Sequence, residues 1–321
     1  MKKIMILATG GTIAGMHSKK SLHYDAGVLG IEVLLKELAG IEKIAKISSK
    51  QLFNINSKDM SFEKMYEIAK ESSEALKEFD GVVITHGSDS LEESAFFLHL
   101  LISSKKPIVF TASMRAFNAL SSDALKNLYN AIIVAASKRS ENKGVLIALN
   151  DKIFSALHSS KIHSTNVNAF SSPCELGYIQ NQECFFYENF YASKAIFDIK
   201  KLTKFEKVSC LMSCVDDENE ILAEFLFQNG VKGLVVAGFG SGSMSENLKK
   251  KLKTLMKKGL VVMVSSRVFN ARISLNDQDI RAGFLSSRTL NPQKARIFLS
   301  LALSLAKNKN EFQDFIKRLD D

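Results

Sequence analysis

Residues 3–15 read KIMILATGGTIAG, a short apolar run that breaks at once into Thr9-Gly10-Gly11-Thr12-Ile13-Ala14-Gly15. A continuous apolar run of this length, ended by paired glycines, predicts a buried strand over residues 3–8 that opens into a tight turn. The lysines of Met1-Lys2-Lys3 imitate the start of a secretory leader, but the apolar segment is too short for one, which leads us to expect a cytoplasmic protein. Outward from this strand the pattern repeats. Further β-rich runs fall at 81–86, 107–112 and 144–149, and helical periods fall at 31–38, 61–79, 91–102 and 122–137. Strands alternating with helices of this size build βαβ units, and hence an α/β fold with a parallel sheet covered on both faces.

The helical period is lost from Asp151 to about Tyr191, and Glu183-Cys184-Phe185-Phe186-Tyr187 suits a hairpin at a domain edge. Residues 192–206 are lysine-rich without a period, which marks a linker. Alternation then restarts with strands at 208–212, 233–237 and 261–265 and helices at 218–227 and 246–257. The expected layout is a larger N-terminal domain over 1–191, a linker over 192–206 and a smaller α/β domain over 207–321. Ser61 reads as a helix N-cap, and Asn291-Pro292 sets a cap with proline at the first helical position before a closing helix at 293–306.

Composition narrows the class. The chain has 321 residues, 46% hydrophobic and 24% charged, which excludes a disordered or fibrous protein and leaves room for two cores. No apolar run approaches the roughly 18 residues of a membrane span. Cys174, Cys184, Cys210 and Cys214 lack CxxC spacing and a companion His cluster, so neither a disulfide framework nor a zinc site is expected, and most should be buried thiols. The net charge of +9 raises the question of a nucleic-acid partner. Its densest block, Lys249 to Lys258, carries Leu252, Leu255 and Met256 at helical spacing, which makes the lysines the solvated face of an ordinary helix. No nucleic-acid partner and no membrane attachment are expected.

Ligands of an open parallel sheet bind beyond the carboxyl ends of its strands, so the strand exits carry the chemistry. Thr9 to Gly15 offers paired glycines whose backbone N–H groups can approach a ligand, with the Thr12 hydroxyl beside them. It lacks the GxGxxG spacing and the lysine of phosphate-binding loops. The second exit, Thr85-His86-Gly87-Ser88-Asp89-Ser90, presents hydroxyl, carboxylate and hydroxyl ahead of a helix, and the same residues also suit a plain N-cap before Leu91-Glu92-Glu93. His86, at a strand end, reads as a structural hydrogen-bonding residue. His17, Lys19, Lys20 and His23 lie in the loop between Gly15 and Gly27, which fits a lid over the site.

Together these segments resemble the bacterial L-asparaginase and glutaminase-asparaginase family. The similarity continues through Tyr24, Ser57-Lys58-Asp59-Met60, Ser113-Met114-Arg115 and Asn127 to Ala131, and in the second half through Val264 to Val268 and Thr289 to Arg296. The resemblance implies hydrolysis of the asparagine side-chain amide, without metal or organic cofactor, in a homotetramer of dimers that share active sites. It assigns Thr12 as nucleophile with Tyr24 close by, and Ser88, Asp89 and Lys161 as a second set across the substrate. Gly11, Ser57, Lys58, Ser113, Ser241, Asn276 and Asp277 fall at substrate-contacting positions, the last three supplied by a neighbouring subunit. The assignment suits the chemistry, since a threonine hydroxyl needs a base and the attacked carbonyl needs donors for its oxyanion.

The sequence departs from the family pattern at Lys58, Ser241 and Asn276, where many relatives have Gln or Glu, Asn, and an acid. A carboxylate beside Lys161 favours an ammonium, whereas a general base must be neutral, so its role as base stays open. So does the choice between an acyl-enzyme on Thr12 and a water activated at the same place. Two other functions fit parts of the chain: an ammonia-producing subunit of a tRNA-dependent amidotransferase, suggested by the charge, and an inert amino-acid sensor, suggested by Asn276.

Overall fold

The computed structural model describes residues 1–17, 24–188 and 195–318. The chain divides into two compact units, Met1–Ala195 and Ile196–Asp321. The expected linker therefore lies partly outside the described residues.

The first unit runs through β1 (Lys2–Gly10), β2 (Met16–His17), β3 (Tyr24–Asp25), α1 (Ile31–Lys36), β4 (Ala45–Ile55), α2 (Phe62–Glu78), β5 (Gly81–Thr85), α3 (Leu91–Leu101), β6 (Ile108–Thr111), α4 (Ala124–Ala136) and β7 (Val145–Leu149). Then come β8 (Lys152–Ser155), β9 (Ser160–Lys161), β10 (Phe170–Ser171), β11 (Gly177–Gln180) and β12 (Glu183–Phe186). The main sheet has the order β12-β11-β8-β7-β6-β5-β1-β4. Its β4-β1-β5-β6-β7 part is parallel, and β8, β11 and β12 extend it antiparallel. The sheet is thus mixed, with the expected parallel strands as its centre. The β11–β12 hairpin closes through Asn181 and Gln182, both at positive φ (51° and 64°), the geometry that matches the twist of the flanking strands.

Strand alternation sorts the core onto two faces. Ile4, Ile6, Val83, Val109 and Leu146 pack with Leu128, Ala131 and Ile132 of α4. Their neighbours Leu7, Val82, Ile84 and Phe110 are buried on the opposite face, the side of α2 and α3. Ser61 caps α2 as expected, its Oγ accepting from the Lys64 N–H at 3.4 Å.

The second unit contains β13 (Val208–Met212), α5 (Asn219–Gln228), β14 (Gly233–Gly238), α6 (Glu246–Met256), β15 (Val261–Ser266), α7 (Asp277–Ala282), β16 (Leu285–Ser286), α8 (Pro292–Leu305) and α9 (Lys309–Lys317). Its parallel sheet has the order β13-β14-β15-β16. One face packs Leu234, Val236 and Val264 against Leu248, Leu252 and Leu255 of α6. The other takes α8, which lies so close to β14 that a β-carbon on Gly233 would sit 2.9 Å from Leu299 Cδ2. Asn291 caps α8 through the Lys294 N–H at 3.0 Å, with Pro292 in the first turn. On α6, Lys249 pairs with Asp279 and Lys251 with Glu224, so part of the basic block is neutralised within its own unit.

One composition-based expectation fails. All four cysteines are free thiols, but only Cys184 is buried, while Cys174, Cys210 and Cys214 are exposed. Cys174 lies in a turn rather than in a strand or helix, and Cys210 lies in β13, where alternate residues point away from the core.

Candidate active site

The parallel register brings four strand ends together. Gly10 pairs with Ile55, so the exits of β1 and β4 are adjacent; Ala8 pairs with Thr85, and Thr85 with Thr111, which aligns the exits of β5 and β6 beside them. Past these ends come Gly11 and Thr12, Ser57, Ser88 and Asp89, and Ser113. Four of the expected segments therefore meet at one edge of the sheet.

Their contact depends on glycine backbone. Gly11 adopts φ 81°, and a β-carbon there would lie 2.4 Å from Gly87 Cα; one on Gly87 would lie 2.5 Å from Ser57 Oγ. Only glycine permits this approach, and at Gly11 it also permits the left-handed φ. The Gly11 N–H donates to Ile55 O at 2.9 Å, and its carbonyl accepts from the Gly27 N–H at 3.0 Å. Thr12 follows in a single 3-10 turn, Thr12–Ala14, and is 6% exposed. The Thr9 hydroxyl donates to Thr85 O at 2.9 Å and ties the first exit to the second.

Lys161 lies on β9, which pairs antiparallel with β10. Its Nζ donates to Ser88 Oγ at 2.9 Å and to Asp89 Oδ1 at 2.6 Å. The Lys161 side chain is 16% exposed and that of Asp89 60%. One amine thus joins a hydroxyl and a carboxylate from the exit of β5.

Around this trio the supports are specific. His86 is buried, and burial lowers its pKa from 6.5 to about 4, while a hydrogen bond to Gly87 O opposes that shift. Because Gly87 O can only accept (2.8 Å), Nδ1 carries the proton and Nε2 takes a hydrogen bond from Ser94 Oγ at 3.0 Å. The neutral His86 is structural, as expected. Ser90 stands at the N-cap of α3 but makes no side-chain cap; its hydroxyl donates instead to Ser57 O at 2.6 Å. Ser57 is buried and Lys58 is exposed. The Ser113 hydroxyl donates to Arg115 O at 2.6 Å, which commits its proton to the following turn.

The β2–β3 ladder pairs Met16 with Asp25 and His17 with Tyr24, and the His17 N–H donates to Asn118 Oδ1 at 2.7 Å. Lys19, Lys20 and His23 lie outside the described residues, as does the side-chain contact expected of Tyr24.

Ser241 and Asn276 line one cavity of about 290 Å³ within the second unit. Asn276 is the N-cap of α7: its Oδ1 accepts from the Asp279 N–H at 2.9 Å and its Nδ2 donates to Asp279 Oδ2 at 3.0 Å. Both ends of the amide are engaged inside the helix turn. Asp277 occupies the first position of that helix. Among the described residues no group of three or more His, Cys, Asp or Glu side chains is placed to hold a metal ion.

Comparison with known proteins gives this arrangement a family. The "Asparaginase, N-terminal" model matches residues 3–191, and the "Glutaminase/Asparaginase C-terminal domain" model matches residues 207–316. The chain belongs to the asparaginase family. It is 37% identical to a probable periplasmic L-asparaginase of Haemophilus influenzae, over 99% of this chain and 93% of that protein. It is 34% identical to a glutaminase-asparaginase of Pseudomonas fluorescens, over 98% and 89%. The crystal structure of a probable cytoplasmic L-asparaginase from Campylobacter jejuni superposes with a TM-score of 0.94 at 45% identity, covering 99% of both chains.

One contributor escaped the sequence reading. Glu92, which entered there only as part of the helix start Leu91-Glu92-Glu93, is 5% exposed, and its Oε2 accepts from the Lys161 backbone N–H at 2.9 Å. The available signal was a second acid beside Glu93 on a largely apolar helix.

Proposed function

We propose that this protein hydrolyses the side-chain amide of L-asparagine to aspartate and ammonia, with Thr12 as nucleophile. What supports this reading is the Lys161–Ser88–Asp89 trio together with the close approach of Gly11, which precedes Thr12, to Gly87, which precedes Ser88, in a chain that matches an L-asparaginase over 99% of its length. Thr12 Oγ1 attacks the amide carbon as its proton passes to a base. The C–N bond then breaks, ammonia leaves with one proton, and the acyl ester is hydrolysed by water. A water activated at the same place gives the same products.

Backbone N–H groups next to Gly11 and Ser88 are the donors available to the oxyanion, and they need no reorganisation as charge develops. Ser57 and the backbone of Ser113 suit the α-carboxylate and amide, and Asp89, whose carboxylate is largely exposed, suits the α-ammonium. Tyr24 and Lys58 complete the first unit's share of the site. Ser241, Asn276 and Asp277 act on the site of a neighbouring subunit in a homotetramer of paired dimers. The enzyme works in the cytoplasm without a metal or organic cofactor.

Asparagine is preferred to glutamine. One methylene separates the two, worth about 1–3 kcal/mol in a shaped pocket. An Asn276 whose amide is held by Asp279 reaches less far toward a displaced ammonium than a glutamate would. Ammonia release from each free amino acid, measured by a coupled assay, tests both statements: turnover of asparagine with a kcat/KM roughly tenfold or more above that for glutamine supports them. No turnover of either amide removes the proposed activity, and equal kcat/KM removes the selectivity.

A further inference from the structure

We infer that Glu92 is a positioning residue for Lys161, and that α3 holds the amine by its backbone as well as by its neighbours. In the β9–β10 pair the Ile162 N–H donates across to Ala169 O at 2.7 Å, so by alternation the Lys161 N–H points away from β10. A backbone donor left unpaired there would be costly. The Glu92 carboxylate takes the place of a missing strand partner, accepting that N–H at 2.9 Å. A carboxylate on a residue only 5% exposed needs such a donor in its own right.

The consequence is mechanical. Ser88 and Asp89 lead directly into α3, and Glu92 is in its first turn. The same turn thus sets the hydroxyl and carboxylate that meet Lys161 Nζ and also fixes the backbone from which that amine projects. Ser90 and Ser94 of the same helix hold Ser57 and His86. A shift of β9 relative to α3 moves Nζ off both of its partners, and misplacement by about 1 Å can cost about 10²-fold in rate.

This inference rests on the asparagine-hydrolysing function proposed above, and the experiment separates the two. Glu92→Asp keeps the charge and the helix start but withdraws the acceptor by one methylene; Glu92→Gln keeps an acceptor at the same reach. We expect kcat for asparagine to fall about tenfold or more in Glu92→Asp, with KM within about twofold, and to stay within about threefold of wild type in Glu92→Gln. In a Lys161→Met background, Glu92→Asp should cause less than about a twofold further loss, because both changes act through one group. Wild-type kcat in Glu92→Asp overturns the inference, as does a loss carried by KM or an undiminished effect without the Lys161 amine. Should Glu92→Asp fail to fold, Glu92→Gln decides alone, with kcat below about a tenth of wild type as the contrary result. A wild-type protein that releases no ammonia overturns the proposed function and this inference with it.

Discussion

At the residue scale, the trio of Lys161, Ser88 and Asp89 is joined by two hydrogen bonds from a single amine, so each member should be needed. Ser88→Ala and Lys161→Met are expected to lower kcat for asparagine by about 10² or more, the usual span for proton-handling groups, with the fold checked by circular dichroism. Activity near wild type in either variant would remove that residue from the machinery. At Asn276 two effects should appear together. Asn276→Glu gives up a cap that holds the Asp279 N–H, at about 1 kcal/mol of stability, while lengthening the side chain toward the glutamine-sized position. A raised glutamine-to-asparagine kcat/KM ratio with a slightly lowered Tm is the expected pair of readings.

At the element scale, the site depends on the turns that leave β1 and β5, where Gly11 and Gly87 touch. Gly11→Ala combines a left-handed φ of 81° with a β-carbon 2.4 Å from Gly87 Cα, and neither neighbour is a side chain that can swing away. A loss of about 1–3 kcal/mol from backbone strain alone is expected in denaturant unfolding, with activity abolished. These exits were legible in the sequence because glycine after a buried apolar run marks a strand end where the backbone turns or is closely approached. Strand β4 was not, since its AKISSKQLFNI spreads lysines and serines along an edge strand with few buried positions and leaves no clear apolar period. Glu92 was hidden for a different reason: its partner is a backbone N–H 69 residues away, and no side-chain pattern announces such a bond. His86, past the end of β5, ties the site's surroundings to stability through its burial. Because its folded pKa of about 4 lies below the ordinary 6.5, it stabilises the protein fully above pH 6.5, and the contribution fades as pH falls toward 4. The shift corresponds to about 3 kcal/mol. Unfolding free energies measured from pH 7 to 4 should decline less steeply in His86→Asn than in wild type.

At the scale of the whole molecule, the two units and their α/β character were readable because strand and helix periods alternate in each. Of the antiparallel extension of the first sheet, the hairpin ending at Glu183 to Tyr187 was readable, but β8 and the exposure of three cysteines were not, since neither a four-residue strand nor a single thiol carries a periodic signal. The proposed assembly brings Ser241, Asn276 and Asp277 to a neighbour's site, and sedimentation should find dimers or tetramers at working concentration; a fully active monomer would contradict it. The central claim is that a hydroxyl at the end of β1 opens the asparagine amide, and Thr12→Val tests it most directly because the swap keeps the branched shape and removes one oxygen. Ammonia release from asparagine, measured on folded wild type and variant at equal concentration, should fall by several orders of magnitude in Thr12→Val. Retention of more than about one per cent of wild-type turnover would show that Thr12 is not the nucleophile.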